Sequence, residues 1–216
     1  VLRHQRKKYS FRLEIYRSKQ EEIVDNKYYL RLNVNPAASF KWGDTGALEI
    51  TKPDTVHFLG EVRILGPAVF EYSPQRAARH LTWLKRMSGT LPEALEALAQ
   101  KKGIKGLREV ELSWFFNLKK RQLWPLLEQG EQEGRWKILS HQPLLIYHPQ
   151  SLEFLEIKII QRITKFHQQH PDDLGMTSAQ LKKKLALPQR VLHYLLRRLL
   201  TKGELMQIED YYFRPQ

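Results

Sequence analysis

From Tyr9 to Leu65 apolar and polar positions alternate with a period of two. Tyr9, Phe11, Leu13 and Ile15 alternate with Ser10, Arg12, Glu14 and Tyr16, and Tyr28, Leu30, Leu32 and Val34 alternate with Tyr29, Arg31 and Asn33. That is the pattern of half-buried strands, whose successive side chains point to opposite faces. Ala47 to Thr51 and His57 to Leu65 read as two more short strands. They are bounded by Trp42-Gly43-Asp44-Thr45-Gly46 and by Lys52-Pro53-Asp54, which carry turn chemistry. Residues 1–67 are expected to form a small antiparallel sheet or part of a β-barrel.

At Gly66-Pro67 the period changes to that of helices. Ser73 followed by Pro74 reads as an N-cap with proline at the first helical position, and Ala77, His80, Leu81, Leu84 and Met87 then recur on one face as far as Gly89. Further helices are expected over Pro92 to Lys102, Leu107 to Phe116 and Lys119 to Glu133. Pro125 should then lie in or beyond the first turn of the last, because deeper inside it costs about 3 kcal/mol. Gly134 closes that helix, and Arg135 to His148 carries two apolar runs around Ser140 to Pro143, a hairpin signal.

The same order returns in the last third of the chain. A helix from about Gln150 to Gln169 places Leu152, Leu155, Ile159, Ile163 and Phe166 on one face, and Pro171 to Gly175 breaks it. Thr177 with Gln180 is a capping box for a helix to Leu187. A third helix begins at Pro188 and buries Val191, Leu192, Leu195, Leu196, Leu199 and Leu200 before Gly203. Glu204 to Arg214 then supplies two short strands around Glu209-Asp210. Helix, helix, helix, hairpin is the order of a winged helix-turn-helix, and it occurs twice, with Gly134 and Gly203 at equivalent positions. The expected fold is therefore α+β, with a β-barrel-like domain over 1–67 and winged-helix domains over 73–149 and 150–216.

Composition narrows the chemistry. The 216 residues contain no cysteine, which excludes disulfides, thiolate zinc sites and cysteine nucleophiles. No apolar stretch approaches the roughly 20 residues of a membrane span, and the basic run Val1 to Lys8 lacks an apolar segment after it, so neither a span nor a secretory signal is expected and a cytoplasmic monomer is. The first residue is Val, as expected of a processed protein or a piece of a longer one. No GxxxxGK[ST] loop, HExxH or GxSxG motif is present, and Asp172-Asp173-Leu174-Gly175 fits DxxG only as an interhelix turn does. His167 and His170 would need a third ligand to hold a metal, and histidines at a helix C-terminus are favoured by the macrodipole in any case. The pairs Glu21-Glu22 and Asp172-Asp173 read as solvated. No catalytic residue, cofactor or metal is assigned, and the chain is not expected to be an enzyme.

Charge says more. Lys and Arg number 36 against 23 Asp and Glu, a formal net charge of +13. Residues 1–72 hold +3 of it, 73–149 hold +6 and 150–216 hold +4, so the helical segments are the more basic. Within them Lys119, Lys120 and Arg121 open the third helix of the first winged segment. Lys182, Lys183 and Lys184, with Arg190, Arg197 and Arg198, flank that of the second. Arg190, His193, Tyr194 and Arg197 lie opposite the leucine face, where a recognition helix presents side chains to a groove. Lys and Arg there contact phosphates and Tyr194 can stack on a base. These eleven residues are the candidate nucleic-acid contacts. Solvation of an outer helix face, or a protein-binding role, would produce the same pattern.

With that order in hand the sequence resembles the C-terminal part of selenocysteine-specific translation elongation factors, the SelB family. Tyr28-Tyr29-Leu30-Arg31-Leu32, Lys41-Trp42-Gly43-Asp44, Leu48 to Ile50 and Phe58 to Pro67 are similar to the closing strands of the family's last β-barrel. Glu61 stands where a second Gly is usual, and Gly66 replaces an Asp. Lys165 to Pro171 before Gly175 is similar to the helix end that opens the family's second winged unit, and Leu187 to Leu205 to its third helix and wing start. The resemblance implies a role in coupling delivery of the charged selenocysteine tRNA to an mRNA insertion hairpin at the ribosome, with RNA favoured over DNA as partner. It also implies a GTPase domain upstream of these residues. A tandem winged-helix regulator of duplex DNA and a structural adaptor remain the alternatives; neither third helix offers a clear Asn/Gln plus Arg set for base edges.

Overall fold

A computed structural model of the chain describes residues 2–4, 7–16, 29–35, 40–52, 55–66, 77–116 and 118–215. The Ser73-Pro74 cap, Glu21-Glu22, Tyr28, Pro53-Asp54 and Pro67 lie outside the described residues, as does the side chain of Lys120. The architecture is α+β with antiparallel sheets, and the chain divides into two compact units, Val1–Ala97 with Val110–Trp124 and Leu98–Glu109 with Pro125–Gln216.

In the first unit the alternating segments form β1 (Leu2–His4), β2 (Lys7–Tyr16), β3 (Tyr29–Asn35), β4 (Thr45–Thr51) and β5 (Val56–Arg63). The sheet order is β3-β2-β1-β4-β5, with β2 and β3 in register from Ser10 opposite Asn35 to Tyr16 opposite Tyr29. Among the described residues no pairing joins the edge strands β3 and β5, so the five strands form an antiparallel sheet with no barrel closure among them. β1 falls in the basic run Val1 to Lys8, which carries no clear alternation, and it seats Leu2 against Leu48. Trp42, in the turn before β4, ties the sheet to helices of the same unit. Its indole donates to the carbonyl of Met87 at 2.7 Å, its backbone N–H donates to that of Phe115, and its ring meets Phe116 at 5.6 Å. Met87 ends α1 (Ala77–Met87), which buries Leu81 and Leu84 beside Leu65 and Trp83.

After α1 the chain runs through α2 (Leu91–Lys102), a 3-10 turn at Gly103–Lys105, β6 (Leu107–Arg108), α3 (Glu109–Phe115), α4 (Lys120–Gln132), β7 (Lys137–His141) and β8 (Leu144–Tyr147). One expectation changes here. Leu107 and Arg108 are a strand rather than the start of a helix, because they pair with Ile146 and Leu145 of β8. Pro125 lies inside α4 beyond its first turn, and the helix gives up one backbone hydrogen bond there.

The last third repeats this order with α5 (Pro149–Gln169), β9 (Met176–Thr177), α6 (Ser178–Leu185), α7 (Gln189–Thr201), β10 (Met206–Ile208) and β11 (Tyr211–Phe213). The two three-stranded sheets match, β6-β8-β7 and β10-β11-β9: in each, the short strand before the second helix pairs with the last strand of the hairpin. Gly134 and Gly203, at φ of +73° and +70°, follow α4 and α7 in the left-handed conformation that ends a helix without a Cβ penalty. Both helix-hairpin segments therefore have winged-helix element order, and α1 stands outside the repeat.

In the second unit the predicted apolar face is the core. Leu152, Leu155, Ile159 and Ile163 of α5 pack with Leu181 of α6, with Val191, Leu192, Leu195, Leu196 and Leu199 of α7, and with Tyr147 of β8. The capping box is present as read, with the Thr177 hydroxyl accepting from the Gln180 N–H and the Gln180 side chain accepting from the Thr177 N–H. Ala186, in left-handed conformation at φ +52°, makes the tight turn from α6 into α7.

Candidate nucleic-acid interface

Candidate contacts from α4 fall in the first unit. Lys119 caps α4, its N–H donating to the Gln122 side chain at 3.1 Å, and Arg121 lies in the first turn with both side chains exposed. No acidic residue occupies that turn. Cations at the positive end of a helix macrodipole lower helix stability, so these two gain nothing from their own helix.

Lys182, Lys183 and Lys184 show the opposite local logic. They fill the last turn of α6, where cations are favoured. All three are exposed, and among the described residues none has an ion pair or side-chain hydrogen bond. Lys182 and Lys183, with Ser178 and Gln189, border a shallow cleft of about 560 Å³ between α6 and the start of α7, lined also by Ala179, Ala186 and Leu187. Ser178 and Gln189 escaped the charge-based reading because both are neutral.

The five candidates on α7 divide. Arg197 is exposed with no side-chain partner among the described residues, and His193 is exposed with its ring against the Gln189 amide. Arg190 donates to the hydroxyl of Ser140 and, at 3.2 Å, to the carbonyl of Gln142, both in the β7–β8 hairpin. Tyr194 is half-buried at the margin of the core that Leu139 and Leu145 of the same hairpin also join. Arg198 turns inward, its Nε 3.0 Å from Oε1 of Glu156 and its guanidinium 5.7 Å from the Tyr194 ring. Lys202, absent from the sequence-derived set, donates to the other oxygen of Glu156 at 2.7 Å. Glu156 is a buried carboxylate on α5, so both cations neutralise a charge that would otherwise be costly to bury.

The two histidines weighed as metal ligands are placed by their neighbours. His170 stacks on Phe166 at 4.9 Å, with Asp173 4.0 Å from its Nδ1. Among the described residues no group of three His, Asp or Glu is arranged to hold a metal ion. Nor is any described helix long and apolar enough to cross a membrane.

Comparison with known proteins bears on the second helix-hairpin segment. A family model described as elongation factor SelB, winged helix, matches residues 160–211, from within α5 to the start of β11. No curated protein matches the chain at a significant level. Residues 160–211 are thus similar to a winged helix of elongation factor SelB.

Proposed function

We propose that this chain is the RNA-binding C-terminal part of a selenocysteine-specific elongation factor. The five-stranded sheet, as part of the factor's last β-barrel, helps to hold the charged tRNA. The winged segments link the factor's GTPase body to an mRNA insertion hairpin at the ribosome, and Lys119, Lys120, Arg121, Lys182, Lys183, Lys184, His193 and Arg197 supply RNA contacts. The chain holds and positions RNA while GTP chemistry belongs to a domain outside these residues.

The observation that carries this reading is the SelB winged-helix match over 160–211, lying on a helix-turn-helix whose outer lysines have no partner among the described residues. Phosphate contacts release counterions, so affinity must fall steeply with salt. The purified chain is titrated with a stem-loop RNA, with a DNA duplex of equal length and with ribosomes, from low to physiological salt. Preference for RNA, affinity for ribosomes and a steep salt dependence are expected. Equal affinity for DNA and RNA with no ribosome binding overturns the reading.

A further inference from the structure

In a helix-turn-helix that reads duplex DNA, the second helix enters the major groove, a channel about 12 Å wide that admits a bare helix. Here α7 is not bare. Arg190, opposite its leucine face, is hydrogen-bonded to Ser140 and Gln142, so the tip of the β7–β8 hairpin reaches the outer side of the helix. Tyr194, one turn on, is half-buried at the margin of the core that Leu139 and Leu145 of that hairpin also join. The hairpin thus meets the outer side of α7 at Arg190, while His193 and Arg197 further along stay exposed.

Open surface of opposite character lies beside it. The cleft between α6 and α7 is lined by the aliphatic stems of Lys182 and Lys183, by Ser178 and Gln189 as neutral hydrogen-bonding groups, and by Ala179 and Ala186, and no carboxylate lines it. Both lysine side chains are exposed without a partner among the described residues. The first turns of α6 and α7 contain no acidic residue, and α7 starts without a side-chain cap. Two free ammonium groups, a hydroxyl, an amide and small residues permitting close approach match a phosphodiester backbone with no demand on base identity.

We propose that the α6–α7 cleft binds consecutive backbone phosphates of RNA through Lys182 and Lys183, with Ser178 and Gln189 as neutral donors, while Arg190 of α7 is taken up by the β7–β8 hairpin. This rests on the RNA-binding reading above and gives it a location. The second winged segment then contributes position along an RNA strand rather than sequence choice.

The test titrates a fluorescently labelled stem-loop RNA with a single-stranded flank against the full chain, as wild type, Lys182→Gln/Lys183→Gln, Lys182→Arg/Lys183→Arg and Lys158→Gln. Lys158 is an exposed lysine of α5 stacked over Phe154 and outside the cleft. Circular dichroism establishes that each variant is folded. Neutralising two single-strand phosphate contacts makes the slope of log K against log salt shallower by about 1.4, at about 0.7 per phosphate. The arginine pair retains the slope, and Lys158→Gln behaves as wild type. A glutamine pair that binds with the wild-type slope overturns the cleft assignment and leaves the broader reading standing, whereas wild type that binds no RNA overturns both. Tighter binding of a DNA duplex, with the same loss of slope in the glutamine pair, overturns the assignment to RNA.

Discussion

Arg190 of α7 and Ser140 of β7 are hydrogen-bonded, guanidinium to hydroxyl, across 50 positions of sequence. Ser140 is only 7% exposed, so its hydroxyl depends on this donor, while Arg190 gains a second acceptor in the Gln142 carbonyl. The bond fastens the first hairpin to the third helix of the next winged segment, and two elements that sequence order would give to separate domains share one compact unit.

Removing either partner should expose that coupling. Arg190→Gln and Ser140→Ala are each expected to cost about 1 kcal/mol, since a charge-assisted bond at a part-exposed site contributes at the lower end of its range. The double variant should lose less than the sum, because its second substitution removes a bond already broken. Urea unfolding of the four proteins measures this; strict additivity would mean that the pair carries no energy.

Gly130 is an interior residue of α4 chosen for closeness rather than flexibility. A Cβ there would run into the indole of Trp136, a buried side chain whose Nε1 donates to the Leu127 carbonyl at 2.9 Å. On an exposed helix, Gly to Ala gains roughly 1 kcal/mol. At this site overpacking reverses the sign, and Gly130→Ala is expected to destabilise by about 1–3 kcal/mol. Thermal unfolding with tryptophan fluorescence reads both the loss and any change around Trp136.

What sequence shows and what it hides can be separated on the same helix. The leucines of α7 were legible because a 3.6-residue period marks the side that faces the core, and Thr177 with Gln180 because a capping box is a local device. The outer side of α7 was not, since Arg190 and Tyr194 look alike whether they face water, RNA or another hairpin; only the non-local approach of β7 decides. Likewise β6 and β9 are two residues each, too short for any period, and are strands solely because distant hairpins pair with them. Pro125 sits inside α4 against its local preference, and propensity is a weak prior once tertiary packing favours a continuous helix. At the candidate site the lysines were visible as charge, whereas the cleft needed Ala179, Ala186, Ser178 and Gln189, which carry no signal along the chain.

The ion pair between Glu131 and Lys137 sets a pH dependence with a definite sign. Burial pushes the Glu131 carboxyl up, but its bonds to the Lys137 ammonium and the Ile138 N–H outweigh this and hold it below its ordinary value of 4.5. The bond to Glu131 in turn raises Lys137 above 10.5. A carboxylate with a depressed folded pKa contributes stability above its unfolded value and loses it as pH falls through the folded one. A lysine with a raised pKa contributes below its unfolded value and loses it as pH rises through the folded one. Glu131→Gln should therefore flatten the acid limb of a stability profile below pH 4.5 and the alkaline limb above pH 10.5. Urea midpoints across that range decide; an unchanged acid limb would show the pair to be energetically silent.

Glu156 offers a test of which cation stabilises the core of the second unit. Its carboxylate is 5% exposed and flanked by two cations, but they are not equivalent. Lys202 makes a hydrogen bond at 2.7 Å. Arg198, though its Nε is 3.0 Å from the other oxygen, is misaligned for one, and that oxygen has no hydrogen-bond partner among the described residues. The Arg198 contact is therefore one of charge alone. Lys202→Met should cost about 2 kcal/mol, below the range for a fully buried pair because the lysine head is partly in water, and Arg198→Met should cost clearly less. Glu156→Gln, which leaves two cations facing each other across a neutral amide, should be at least as damaging as Lys202→Met, whereas Glu156→Leu should recover part of the loss by replacing a desolvated charge with an apolar side chain that packs among the neighbouring leucines. If Arg198→Met proves the more costly of the two cation variants, geometry has misjudged the pair, and the Arg198 guanidinium over the Tyr194 ring is the contact that matters.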